Sequence, residues 1–340
     1  MCKSNESRLR RTVVIGLLTS ILAICNRQTC AAGTLFVTDP TNTGPTDLIH
    51  AYDAVTGAAI APNIPLLGAM GLAIGPNGNL FAVTNNPGFQ PDQGSVYQYD
   101  PATHAKVGGT YVTFNGQNDG HDVQGPEGMA FGSTGNLYIA DATNSEVHVY
   151  GSSNNSLGAL TSIQLIQPTD VAFDAGGNLY VTSGNADILR SAFGTGPLTE
   201  FVAQLAGGLT NPVSLAFGPD GKLYVLDETS TTVVRRYNST GTFDANVISF
   251  TGSLGLFSPN QIAFGPDGKL YISGQDGNVG DGEVLRFESN GTLDGPFITG
   301  LQNPSFMVFT AVPEPASLVL LALGGLGMLL VVRGRSETAG

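Results

Sequence analysis

Glu127, Asp170 and Asn260, with His121 and Asp122 in a polar insertion just ahead of the first of them, are side chains of the kind that hold a hard divalent cation such as Ca or Mg. A metal on Glu127, Asp170 and Asn260 would polarise a lactone or ester carbonyl and activate water. A lyase acting on a cyclic substrate would instead use His121 as its base. Without any catalysis, Glu127, Asp170, Ser214, Asn260, Gln261 and His121 make a polar ligand surface. Aspartates at strand ends ordinarily cap turns, and a histidine in a glycine-rich loop is ordinarily solvated. Binding is therefore the leading expectation and metal-dependent hydrolysis the alternative.

Other chemistry is sparse. The loop Asp276-Gly-Asn-Val-Gly-Asp281 has the composition of a calcium loop without EF-hand spacing, and no Gly-x-Ser-x-Gly, His-Glu-x-x-His or Walker sequence occurs. Asn154, Asn238 and Asn290 open Asn-x-Ser/Thr triplets, which arise readily by chance in loops of this composition. The three cysteines, Cys2, Cys25 and Cys30, all fall in the first 30 residues, so disulfides and thiolate chemistry are not expected in the rest.

The elements that must position these residues are read from a repeat. A phrase recurs as Gly71-Leu-Ala-Ile-Gly-Pro-Asn-Gly78-Asn-Leu-Phe, Gly128-Met-Ala-Phe-Gly-Ser-Thr-Gly135-Asn-Leu-Tyr, Asp170-Val-Ala-Phe-Asp-Ala-Gly-Gly177-Asn-Leu-Tyr, Ser214-Leu-Ala-Phe-Gly-Pro-Asp-Gly221-Lys-Leu-Tyr and Gln261-Ile-Ala-Phe-Gly-Pro-Asp-Gly268-Lys-Leu-Tyr. With Gly33, the turn glycines stand 45, 57, 42, 44 and 47 residues apart, the period of a propeller blade. Each phrase predicts two short strands joined by a tight turn whose glycine is left-handed. A third strand is predicted in every unit, for example Glu146 to Tyr150, Asp187 to Arg190 and Thr232 to Tyr237. A weaker fourth is read at Val112 to Phe114, Ile163 to Leu165, Phe201 to Leu205, Val247 to Phe250 and Pro296 to Thr299. The first unit lacks its innermost strand, and the last has a surplus one in Asn303 to Phe309. Completing the first blade with that strand closes the ring and removes open sheet edges. The expectation is an all-β, six-bladed propeller of four-stranded blades over residues 33–310. Strand order then puts Glu127, Asp170, Ser214, Asn260 and Gln261 at one end of the channel, the top.

The repeat resembles NHL-type blades and, more loosely, gluconolactonase-like six-bladed propellers, through Pro-x-x-(Val/Leu/Ile)-Ala-Phe followed by Gly-x-Leu-Tyr. That likeness implies a fold shared by binding scaffolds, lactonases and lyases. Gluconolactonase-like enzymes use an early inner-strand Glu with Asn and Asp from later blades. Here the corresponding place in the first complete phrase holds Met70, and Glu127 belongs to a later one.

The two ends read as addresses. Residues 1–32 carry Arg8, Arg10 and Arg11, an apolar run from Val13 to Ile24 and small residues before Gly33, the pattern of a secretory signal cut near Ala31 or Ala32. Leu22-Ala-Ile-Cys25 as a lipoprotein box and Arg10-Arg11 as a twin-arginine signal are variants of the same reading. At the other end Pro313-Glu314-Pro315 leads into an apolar stretch, 316–332, and then Arg333 and Arg335. At ~1.5 Å per residue that stretch is near the lower limit for a membrane helix, with the arginines on the cytoplasmic side. Residues 311–340 closely resemble the PEP-CTERM sorting signal of exopolysaccharide-producing Gram-negative bacteria. The resemblance implies an exosortase-type membrane protease as partner, a membrane-anchored intermediate, and delivery to the envelope, surface or extracellular matrix. Exopolysaccharide or another envelope protein is then a natural ligand.

Charge agrees with that destination. The whole chain is at −13, but between residues 33 and 312 seven basic residues face 24 acidic ones, a net of −17. Such a body repels phosphate backbones, so nucleic acid is not expected as a partner. With 46 Gly, 19 Pro and 12% charged residues, the composition suits many turns between mostly buried strands.

Overall fold

A computed structural model describes residues 33–40, 47–85, 94–114, 123–228, 232–250, 256, 258–275 and 281–310. The signal-like segment 1–32, the sorting segment 311–340 with the membrane helix expected at 316–332, and His121 lie outside the described residues. Among those described, no helix is long and apolar enough to cross a membrane. The compact unit Thr34–Thr310 consists of six antiparallel four-stranded sheets.

Blade 1 contains β1 (Thr34–Asp39), β2 (Leu48–Asp53) and β3 (Ala59–Pro65). Blade 2 contains β4 (Ala69–Ile74), β5 (Leu80–Thr84), β6 (Ser95–Tyr99) and β7 (Lys106–Thr113). Blade 3 contains β8 (Pro126–Phe131), β9 (Leu137–Asp141), β10 (Glu146–Tyr150) and β11 (Ser156–Leu160). Blade 4 contains β12 (Val171–Phe173), β13 (Leu179–Ser183), β14 (Asp187–Ser191) and β15 (Thr199–Val202). Blade 5 contains β16 (Pro212–Phe217), β17 (Leu223–Asp227), β18 (Val233–Tyr237) and β19 (Phe243–Ser249). Blade 6 contains β20 (Ser258–Phe264), β21 (Leu270–Gln275), β22 (Gly282–Phe287) and β23 (Leu293–Leu301). The last strand, β24 (Met307–Phe309), joins blade 1 in the order β24-β1-β2-β3, pairing Phe309 with Leu35 and Met307 with Val37.

The repeated phrase does two jobs. Its glycine allows the turn: Gly78, Gly135, Gly177, Gly221 and Gly268 have φ between +71° and +81°, which a side chain tolerates poorly. Its aromatics join neighbouring blades. The ring on the second strand meets, edge to face, the Phe that ends the next blade's inner strand: Phe81–Phe131, Tyr138–Phe173, Tyr180–Phe217, Tyr224–Phe264 and Tyr271–Phe309, with centroids 4.8–5.0 Å apart. Phe309 thus closes the aromatic series as β24 closes the sheet. Six apolar clusters result, one in each interface between adjacent blades, including the one that joins blade 6 to blade 1.

The outermost strands depart from expectation. They begin earlier in the chain than the weak pattern indicates, and in blade 3 the fourth strand is Ser156–Leu160. Ile163, read as part of that strand, stands fully exposed in the loop beyond it. An edge strand with one face in water carries no two-sided apolar pattern, so neighbouring polar segments compete for the assignment.

Candidate functional site at the channel mouth

The inner strands start irregularly. Against its second strand, each of β4, β8, β16 and β20 gains one residue near its start, within Ala69–Leu72, Pro126–Met129, Pro212–Ser214 and Pro259–Gln261. Glu127 lies within such a β-bulge, and Asn260 is the extra residue of another. Bulges re-aim side chains and recur beside binding sites. Blade 4 begins its inner strand at Val171, directly after Asp170.

At the next phrase position, side chains stitch each blade to the one after it. Asp170, only 4% exposed, accepts hydrogen bonds through Oδ2 from Ser214 Oγ at 2.7 Å and the Leu215 N–H at 3.1 Å, while Oδ1 accepts from the Val171 N–H at 2.9 Å. Ser214 Oγ in turn accepts from the Ile262 N–H at 3.2 Å, and Gln261 Oε1 accepts from the Met307 N–H. The preceding position makes a second layer: Thr169 Oγ1 donates to the Val213 carbonyl and Asn260 Nδ2 to the Pro304 carbonyl, both at 2.8 Å.

In blades 2 and 3 the stitching position is glycine, and the blades touch by backbone. A Cβ on Gly71 would lie 2.1 Å from the Glu127 carbonyl oxygen, and one on Gly128 would lie 2.3 Å from Asp170 Oδ1. The Gly128 N–H donates to the Thr169 carbonyl at 2.9 Å. This close approach sets Glu127 beside Asp170. Glu127 is half-buried and makes no hydrogen bond to a described residue. Burial first, then the Asp170 charge, pushes its carboxyl up to about 7. Asp170 itself is pushed up to about 6 by burial, against the opposing effect of bonds from Ser214, Leu215 and Val171.

Of the residues expected at the mouth, the structure brings Glu127, Asp170 and Ser214 together and engages Ser214, Asn260 and Gln261 with neighbouring blades. Among the described residues no group of three or more His, Cys, Asp or Glu is placed to hold a metal ion.

One set of residues carries more structure than its sequence pattern suggests. Asp39, Asp141 and Asp227 end the second strands of blades 1, 3 and 5, and each accepts from the N–H groups of two residues ahead of the Pro that leads into the inner strand. These are Gln302 and Asn303 on Asp39, Gln124 and Gly125 on Asp141, and Thr210 and Asn211 on Asp227. Each also meets a basic side chain from the third strand: His50 at 3.3 Å, His148 at 3.1 Å and Arg235 at 2.6 Å. Blades 2, 4 and 6 have Thr84, Ser183 and Gly274 in place of the aspartate and Tyr97, Leu189 and Leu285 in place of the base. The covariation within one chain was the available signal, and it marks latches on loops.

All three Asn-x-Ser/Thr triplets fall on the turn between third and fourth strands. Asn154 supplies the left-handed position with φ +64°. Asn238 Oδ1 accepts from the Thr240 N–H as Asp100 does from Thr103, and Asn290 Oδ1 accepts from the Thr292 N–H. Local turn bonding accounts for them.

Comparison with known proteins agrees with the architecture. Residues 124–150 match the NHL repeat, residues 265–297 match a β-propeller domain of unknown function (DUF5122), and residues 311–336 match the PEP-CTERM protein-sorting motif. No curated protein sequence matches the chain. Among solved structures, TolB from Acinetobacter baumannii is similar at a TM-score of 0.61 and 15% identity, over 82% of this chain and 67% of that one, a likeness of fold. PEP-CTERM signals mark proteins exported and sorted to the cell envelope or surface, and the motif implies processing by exosortase, a membrane protease. The chain is a six-bladed β-propeller with an NHL repeat match at residues 124–150 and a PEP-CTERM protein-sorting motif at residues 311–336.

Proposed function

We propose that this protein is a surface- or matrix-delivered binding and scaffold module that takes a carbohydrate, a protein or a cation on the top of its ring. The observation that carries this reading is the use of polar side chains at the mouth. Asp170, Ser214, Asn260 and Gln261 are occupied in bonds between blades, which leaves Glu127, among the described residues at the mouth, as a carboxyl free to meet a ligand. A rigid ring that, among the described residues, leaves one mouth carboxyl outside the bonds between blades suits recognition better than a reaction needing several convergent groups.

Metal-dependent hydrolysis of lactones or esters is a second reading, favoured by the raised Glu127, since a carboxyl near 7 is in the range of a general base. One set of measurements separates the two. The purified ring is assayed for bound metal, for turnover on a lactone and ester panel, and for binding to exopolysaccharide from an exosortase-bearing host. Polysaccharide binding that Glu127→Gln weakens at least tenfold, without turnover, is the expected result. Stoichiometric metal with turnover abolished by Glu127→Gln would replace the binding module with the hydrolase.

A further inference from the structure

The run that closes the ring has no slack. The Gln302 and Asn303 N–H groups sit on Asp39, the Ser305 N–H donates to the Thr38 carbonyl at 2.9 Å, and the Phe306 N–H donates to Thr38 Oγ1 at 2.8 Å. The Met307 N–H sits on Gln261, and Met307–Phe309 pair with β1. Finally the Thr310 N–H donates to the Thr34 carbonyl at 2.8 Å, and the Thr34 N–H returns a bond to Thr310 Oγ1 at 2.7 Å. The sorting motif is matched from residue 311, the next one along. Pro313 follows Thr310 by three residues, roughly 10 Å of extended chain.

A protease commonly holds its substrate as an extended strand, with several residues on each side of the bond to be cut. A backbone N–H or carbonyl already used in the ring cannot serve that cleft as well. We infer that ring closure and C-terminal processing compete for the residues leading up to Thr310, and that the closed ring confines the cut to the C-terminal side of Thr310. The reaction is ordinary peptide hydrolysis: the amide C–N bond breaks, hydroxide from water ends on the acyl carbon and the proton on the leaving amine. The mature body then keeps Thr310 and its bonds to Thr34. This inference rests on the sorting assignment and is independent of what the top of the ring binds.

The test uses the full-length chain in an exosortase-bearing host. Six Gly/Ser residues are inserted between Thr310 and Ala311, outside every described contact, and processing is followed by pulse-chase with intact-mass analysis of the product. A several-fold faster conversion of the spacer form, with the wild-type product ending at Thr310 or later, is the expected result. Thr310→Ala, which removes one closing bond, should accelerate conversion in the same direction by a smaller factor. A wild-type product ending at or before Phe309, or equal rates for wild type and spacer form, overturns the inference. Absence of any conversion, in a host that processes another substrate of this type, would sink the sorting assignment together with it.

Discussion

Glu127 is held where water reaches it only partly and no donor among the described residues offsets the loss, because Gly128 lets blade 3 approach blade 4 until the carboxyl stands beside Asp170. The charged form is therefore disfavoured in the folded state. Since its folded pKa lies above the ordinary 4.5, its contribution to stability is fully present below about pH 4.5 and is lost as pH rises through about 7. Glu127→Gln removes the penalty. The variant should unfold later than wild type at pH 8, by about 1–3 kcal/mol, and match it at pH 4, as read from urea midpoints at the two pH values. Equal midpoints at pH 8 would mean that the carboxyl is better solvated than the geometry indicates. Gly128→Ala tests the cause of the placement: its Cβ would meet Asp170 atoms within 3 Å, so a loss of about 1–3 kcal/mol is expected by the same method.

At the scale of the element, the aspartates closing alternate second strands tie loops to blades. Asp227 is fully buried, and its partner Arg235 also donates to the Gly207 carbonyl and Asn246 Oδ1. Arg235→Ala would strand a buried carboxylate, and about 3–5 kcal/mol of stability should disappear, measured as a shift in thermal or urea midpoint. Asp39 and Asp141 behave differently with pH. Burial alone would raise both, but bonds from His50 with the Asn303 and Gln302 N–H groups, and from His148 with the Gln124, Asn144 and Gly125 N–H groups, hold them below the ordinary 3.8. A depressed carboxyl contributes stability above its unfolded pKa and loses it as pH falls through the folded one. Acidification below pH 3.8 should accordingly release these loops. Hydrogen exchange at the Gln302, Asn303, Gln124 and Gly125 amides is expected to rise there ahead of exchange in β9 and β13. Uniform exchange across the ring would contradict separate latches.

On the scale of the whole molecule, stability depends on the ring being complete. Each blade buries its faces against two neighbours, so an open interface exposes apolar surface on both sides of the gap. A chain ending at Pro304 lacks Phe306, Met307 and Phe309, uncovering Leu35, Val37 and Tyr271 together with the edge of β1. Relative to a chain ending at Thr310 it should lose about 3–5 kcal/mol and form higher oligomers through the free edge, seen by urea denaturation and size-exclusion chromatography. Unchanged stability and a monomeric profile would mean that β24 is dispensable for closure.

How much of this was legible depends on whether the cause is local. The Pro-Asp-Gly turns, the apolar inner pairs and the 42- to 57-residue spacing are local, and they were sufficient for blade number, blade order and the closing strand. The motif at Pro313-Glu314-Pro315 was readable because a sorting enzyme reads it as linear sequence. The outer strands were misplaced where half-exposed segments such as Ile163 to Leu165 offered a pattern as good as that of the true strand. The mouth was legible only as a set of positions. Asp170, Ser214, Asn260 and Gln261 were read as ligand-binding positions because polar residues converge there, with no sign in the sequence of their bonds between blades. Their hydrogen-bond partners, Leu215, Ile262, Pro304 and Met307, lie 44 to 48 residues away, on the next blade around the ring. Repeat, turns and destination were thus determined by sequence alone, since each depends on near neighbours. Which polar groups hold neighbouring blades together was decided only when the ring closed and set each inner strand against the next.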